Sequence, residues 1–236
     1  MSEPGDPIFE EEGGGEIIEF QPKALLKLMT SESFIEALKV AGWETLDTAR
    51  ETCFKFCISP DGNVERTDIK RGESDRVGHN DEVILGGERS SFDSDVAAGK
   101  LHEFLGLHFH PDVRSVLAPS ETDLHELNVR SLEIICTIHE NKNVDALLVK
   151  INKFINPSEV YVLAKEYEDE LKDEGILDDS GRSNDTAVQE ILRKNGFENI
   201  MLSYVYDKKK RKYILPKLAR NNIKEFGTLE IRFKTI

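Results

Sequence analysis

The sequence predicts a mixed α/β fold, either α/β or α+β, with a mixed sheet flanked by helices. Stretches with apolar residues at helical spacing alternate irregularly with short apolar or alternating runs of strand type. No internal repeat is visible, and 39% of the 236 residues are hydrophobic, enough to bury a substantial core. The length allows one large domain or a domain plus a smaller partner.

Residues 1–15 lack periodicity and end in three glycines, and they read as a disordered acidic tail. "EIIEFQPKALLKLM" predicts a short strand and then a helix, and "SESFIEALKVAGW" a helix with a capping serine that Gly42 could end. "TLDTARE" reads as a further helical turn. "TCFKFCISPDGNVERTDIK" predicts a hairpin turning at "SPDGN". "RGESDRVGHNDEVILGGERSS" reads as a loop holding one short strand, and "FDSDVAAGKLHEF" as a helix capped near Ser91 or Asp93. "FLGLHFH" is a buried strand that stops at Pro111, and "PSETDLHELNV" opens a helix. "LEIICTI" has the nearly unbroken apolar character of a strand buried on both faces. "NVDALLVKINKF" reads as a helix, with Val144, Leu147, Leu148 and Ile151 at 3–4 spacing.

Residues 16–157 are expected to form the main domain and residues 158–236 an accessory α+β region. In that region "VYVLAKEYEDELKDEGILDDSG" begins apolar and becomes acidic, as a solvated helix face or loop does. "TAVQEILRKNGF" predicts a short amphipathic helix with Gly196 at its C-terminal side. "NIMLSYVYDKKKRKYILPKL" predicts a hairpin whose lysine-rich turn is solvated, and "TLEIRF" a last strand.

The formal net charge is −14, and seven acids with no base in residues 1–20 supply half of it. That balance argues against a phosphate-binding track, so no nucleic-acid partner is expected. No apolar run is long enough to span a bilayer, and the N-terminal stretch lacks the basic and apolar regions of a signal peptide. Three cysteines, Cys53, Cys57 and Cys136, give no disulfide framework; Cys53 and Cys57 would share one strand face as core fillers. A soluble, cytoplasmic setting is expected.

The chemistry concentrates in "FLGLHFHPDVRSVLAPSETDLHEL". On a strand, positions i and i+2 share a face, so His108 and His110 aim two imidazoles at one point while Phe109 turns into the core. Zinc needs about four ligands, and Asp123, in the first turn of the following helix, is the nearest candidate for a third. Ser120-Glu121-Thr122-Asp123 is also a capping-box pattern, which by itself says nothing about a metal.

"LHFHP" followed by "PSETDL" resembles the JAMM motif of the JAB/MPN metallopeptidases, a glutamate followed by His-x-His-Pro and Ser-x-x-Asp. The resemblance covers roughly residues 35–157. It implies a cytidine-deaminase-like core of mixed sheet and helices, and a zinc peptidase or isopeptidase acting on the C-terminal tail of a ubiquitin-like modifier or similar peptide. His108, His110 and Asp123 would hold Zn2+. Glu51, 57 residues before His108 in "ARETCFKFCI", would be the general base. Ser120 would donate to the oxyanion. Nine residues separate His110 from Ser120, two more than is usual in the family, and Phe109 replaces the commoner small polar residue. Two alternatives remain open: a non-catalytic MPN-type interaction scaffold, and a RadC-like protein acting near DNA. His79, His102, His125 and His139 read as surface or satisfied histidines, and the glycine pair at 86–87 as part of a possible substrate-shaping loop.

Overall fold

The computed structural model describes residues 17–67, 69–72, 100–111, 117–128, 130–151, 157–176 and 185–232. The expected tail, the loop and first part of the helix expected over residues 73–99, with His79 and the glycine pair, lie outside them.

Strand β1 (Ile17–Phe20) leads into helices α1 (Pro22–Met29) and α2 (Glu32–Thr48). The next strands are β2 (Thr52–Ile58), β3 (Val64–Arg66), β4 (Lys70–Arg71) and β5 (His102–His110). Helix α3 (Glu121–His125) runs into a 3-10 turn (Glu126–Asn128) and is followed by β6 (Leu132–Ile138) and β7 (Val144–Ile151). Helices α4 (Pro157–Asp173) and α5 (Asp185–Lys194), strands β8 (Phe197–Asp207) and β9 (Lys212–Ile214), helix α6 (Lys217–Glu225) and β10 (Leu229–Arg232) complete the order.

The fold is mixed α/β, as expected. The main sheet runs β3-β2-β5-β6-β7-β8-β9, with β4 also on β2, and β1 pairs with β10 in a separate ribbon. Only β5 and β6 run parallel; the other described pairs are antiparallel. β8 and β9, from the segment beyond residue 157, extend this same sheet.

Alternation along the strands gives the sheet two apolar faces. One, with Phe54, Leu107, Phe109, Ile134 and Leu148, packs beneath α1, α2, α6 and the ribbon. The other, with Ile135, Leu147 and Val149, packs beneath α3, α4 and α5. Each large apolar side chain enclosed in these layers contributes about 1.5–3 kcal/mol. Among the described residues no helix is long and apolar enough to cross a membrane. The three cysteines are free and buried, and burial pushes the Cys53 thiol up to about 12.

Several elements depart from expectation. Residues 144–151 form strand β7, not a helix. Residues at 3–4 spacing are a subset of a run buried on both sides, in which Val144, Ala146, Leu147, Leu148 and Val149 are all enclosed. A tight turn, with Lys142 at φ 68 and His139 N–H donating to the Asn143 carbonyl, forces antiparallel pairing with β6. Gly42 does not end α2: the helix continues through "TLDT" to Ala49, which takes the left-handed conformation at φ 52. Gly42 is needed as a close-approach point, since a Cβ there would lie 3.0 Å from the Phe109 ring. His102–Phe104 open β5 and are not helical. Lys217 and Leu218, read as the end of a hairpin, begin α6, which buries Ala219 and Ile223.

Candidate metal centre

His108 and His110 lie at the C-terminal end of β5 on the face covered by α3, while Phe109 points into the opposite core. The antiparallel register sets Cys53 opposite His108. By alternation, Glu51, two residues earlier at the entry to β2, belongs to the histidine face. Its carbonyl accepts a hydrogen bond from Gly72 N–H at 2.9 Å, which ties this entry to β4.

Asp123 arrives from α3. Ser120 caps that helix in a complete capping box: its Oγ accepts from Asp123 N–H at 3.2 Å. Asp123 Oδ2 in turn accepts from Ser120 N–H at 2.7 Å and from Ser120 O–H at 2.8 Å. These bonds occupy Oδ2 and leave Oδ1 facing the imidazoles, 3.5 Å from His108 Nε2. His108 Nε2 and His110 Nε2 are 3.0 Å apart. One donor atom from each of His108, His110 and Asp123 lies within 4.8 Å of the others. A tetrahedral ion with bonds of about 2.0–2.2 Å would set its donors about 3.3–3.6 Å apart. The three groups therefore fit around one divalent cation after shifts of a few tenths of an ångström to about an ångström.

The electrostatics suit a cation. Burial opposes charge on His108, but the carboxylates of Asp123, Glu133 and Glu51 outweigh it and raise its pKa to about 9. Burial likewise opposes ionisation of Asp123, yet His108 and His110, with the Ser120 bonds, hold its carboxyl below the usual range.

The sequence reading missed a layer behind the two histidines. Glu133, fully buried on β6, accepts from His108 Nδ1 at 3.2 Å and from Arg130 Nη1 at 3.0 Å. Arg130, also buried, further contacts Glu103 at 3.2 Å and Glu126 at 2.9 Å, and Glu103 reaches Lys55 at 2.9 Å. Burial alone would raise the Glu103 pKa, but Lys55 and Arg130 lower it below the usual range. Two backbone features admit this network. The pairing of β2 with β5 slips at Phe56 and Cys57, whose partners are Leu105 and Glu103, so Phe104 is an extra residue. This bulge turns Glu103 to the Lys55 side while Phe104 stays in the opposite core. At Gly106 a Cβ would collide with the Glu133 carboxylate and the Arg130 guanidinium. The available sequence signal was one carboxylate in the otherwise apolar "LEIICTI", an expensive residue for a strand buried on both faces.

The remaining described histidines stand apart from the cluster. His125 packs edge-on against Tyr161 with ring centroids 5.8 Å apart, and His139 pairs with Asp145 at 2.6 Å. His102 begins β5, at the opposite end of the strand from His110. No family model matches the chain, and no curated protein matches it.

Proposed function

We propose that the chain is a zinc-dependent peptidase or isopeptidase of the JAMM type. It cleaves the bond after the C-terminal tail of a ubiquitin-like modifier or similar peptide. The observation that carries this reading is the approach of His108, His110 and Asp123 to one point, within 4.8 Å of each other. Two imidazoles and a carboxylate form a borderline nitrogen and oxygen donor set that suits Zn2+ and leaves one tetrahedral position open. Bound there, the ion supplies Lewis acidity, polarising the substrate carbonyl and making water a stronger acid.

The chain's own residues divide the rest of the work. Glu51, on the histidine face and close enough to add to the field at His108, accepts the proton of the attacking water and passes one to the leaving amine. Ser120 has one hydroxyl proton, and Asp123 Oδ2 holds it at 2.8 Å. Donation to an oxyanion requires that hydroxyl to rotate away from Asp123, leaving Oδ2 its bond from Ser120 N–H.

The test measures metal content and cleavage together. Wild type is expected to retain about one zinc per chain after dialysis and to cleave fluorogenic C-terminal amides of ubiquitin or of short Gly-Gly-ending peptides, with chelator abolishing turnover. His110→Ala should lose both metal and turnover. Glu51→Ala should keep the metal and lose turnover by about 10²–10⁴-fold. A wild-type chain that holds no metal, or a Glu51→Ala chain that loses it, would overturn the assignment.

A further inference from the structure

We propose that Glu133 is a positioning residue for the metal ligands: it fixes His108 as an Nε2 ligand, and Arg130 holds Glu133 in place. This rests on the metal-site reading above. An imidazole can offer Nδ1 or Nε2, and its protonated nitrogen is the one engaged by an acceptor. Glu133 Oε1 lies 3.2 Å from His108 Nδ1, so the hydrogen on Nδ1 is held there and Nε2 is the nitrogen turned toward Asp123 and His110. A carboxylate behind a ligating imidazole fixes ring orientation and makes the ligand more basic.

Glu133 could not serve if it were free to turn. Its second oxygen, Oε2, is taken by Arg130 Nη1 at 3.0 Å. Arg130 is itself pinned by Glu103 from β5 and by Glu126 from the turn that continues α3. One guanidinium thus joins β5, which carries both histidines, β6, which carries Glu133, and the segment that follows Asp123. The arrangement is costly to build, because it needs a glycine at 106, a bulge in β5 and fully buried charges. Buried ion pairs of this kind gain little over well-packed apolar residues of the same volume. Their placement directly behind a ligand gives the expense a purpose.

The experiment measures affinity of the full chain for Zn2+ by competition with a chromophoric chelator, and records the visible spectrum of the Co2+-substituted protein. Glu133→Gln and Glu133→Ala should weaken Zn2+ binding by about 10–100-fold and alter the Co2+ bands. Lys55→Met, which breaks the far end of the same network without touching a ligand contact, should bind within about threefold of wild type, by the same comparison. If Glu133→Ala does not fold, the isosteric Glu133→Gln decides the matter. Wild-type affinity in the Glu133 variants, or an equal loss in Lys55→Met, overturns the positioning role while leaving the metal site standing. Failure of wild type to bind the ion at all overturns the site, and this role with it.

Discussion

Gly106→Ala tests the packing behind the histidines most directly. The added methyl group would fall on the Glu133 carboxylate and the Arg130 guanidinium. Ends of long side chains usually give way, but here each is held: Glu133 by His108, and Arg130 by Glu103 and Glu126. Either β5 and β6 separate or Glu133 leaves His108. Overpacking of this kind costs about 1–3 kcal/mol. Loss of a hydrogen bond to a charged group adds about 1.5–3 kcal/mol. Where both occur, the two come to about 2.5–6 kcal/mol. For a chain of this size that means a fall in Tm of about 5–24 °C. Gly42→Ala is the control. Its Cβ would lie 3.0 Å from Phe109 Cε1 and 3.1 Å from Ile138 Cδ1, apolar atoms that can yield. Ala in place of Gly within α2 returns about 1 kcal/mol of helix propensity. The assay is thermal unfolding of chelator-treated protein followed by circular dichroism. A Gly106→Ala chain melting within about 3 °C of wild type, or no lower than Gly42→Ala, would refute the claim that the network is tightly held.

Two further outcomes follow from single groups. The Tyr167 hydroxyl, on α4, is buried with no hydrogen-bond partner among the described residues, an arrangement that costs about 1–3 kcal/mol. Tyr167→Phe should therefore raise Tm by a few degrees, and a lowered Tm would mean that the hydroxyl is satisfied in solution. The pKa of His108 is raised from 6.5 to about 9 in the folded, metal-free chain, so its charged form stabilises the fold fully below the unfolded value, and that contribution is lost as pH rises through the folded one. Denaturant titrations of chelator-treated wild type and His108→Gln should show wild type losing its relative advantage between pH 6.5 and 9. An advantage that grows over that window contradicts the assigned field.

The legible parts of the fold were those in which several local signals agreed. The end of β5 and the start of α3 could be read because an apolar strand, Pro111, a capping serine and an acid at the third helical position agreed on where each lies. β7 could not, because a strand buried on both faces has no alternation, and a 3–4 pattern can always be picked from an unbroken apolar run. The end of α2 was misplaced because glycine is both a helix stop and a spacer, and only the position of Phe109 shows which role Gly42 has. α6 was hidden by Pro216, which reads equally as the end of a strand and the start of a helix. In the site, His108, His110 and Asp123 announce themselves as candidate ligands by spacing along one chain segment. Glu133, Arg130 and Glu103 come together only through the pairing of β5 with β6 and the bulge opposite β2, neither of which has a local signature.

The capping box and the metal cluster need not be rival explanations of Ser120 and Asp123. A carboxylate has two oxygens, and in this fold they have separate duties. Oδ2 takes both Ser120 donors and stabilises the first turn of α3, while Oδ1 is left to the imidazoles. Capping is what holds the carboxylate in place, because α3 is only five residues long and would not persist on helix propensity alone. A change at Ser120 should therefore act twice: it removes about 1 kcal/mol of capping, and it takes one of the two donors from Asp123 Oδ2, so that the carboxylate is held toward the histidines by the Ser120 N–H alone. Ser120→Ala should weaken metal binding as well as turnover, whereas a serine that served only an oxyanion would leave metal affinity untouched.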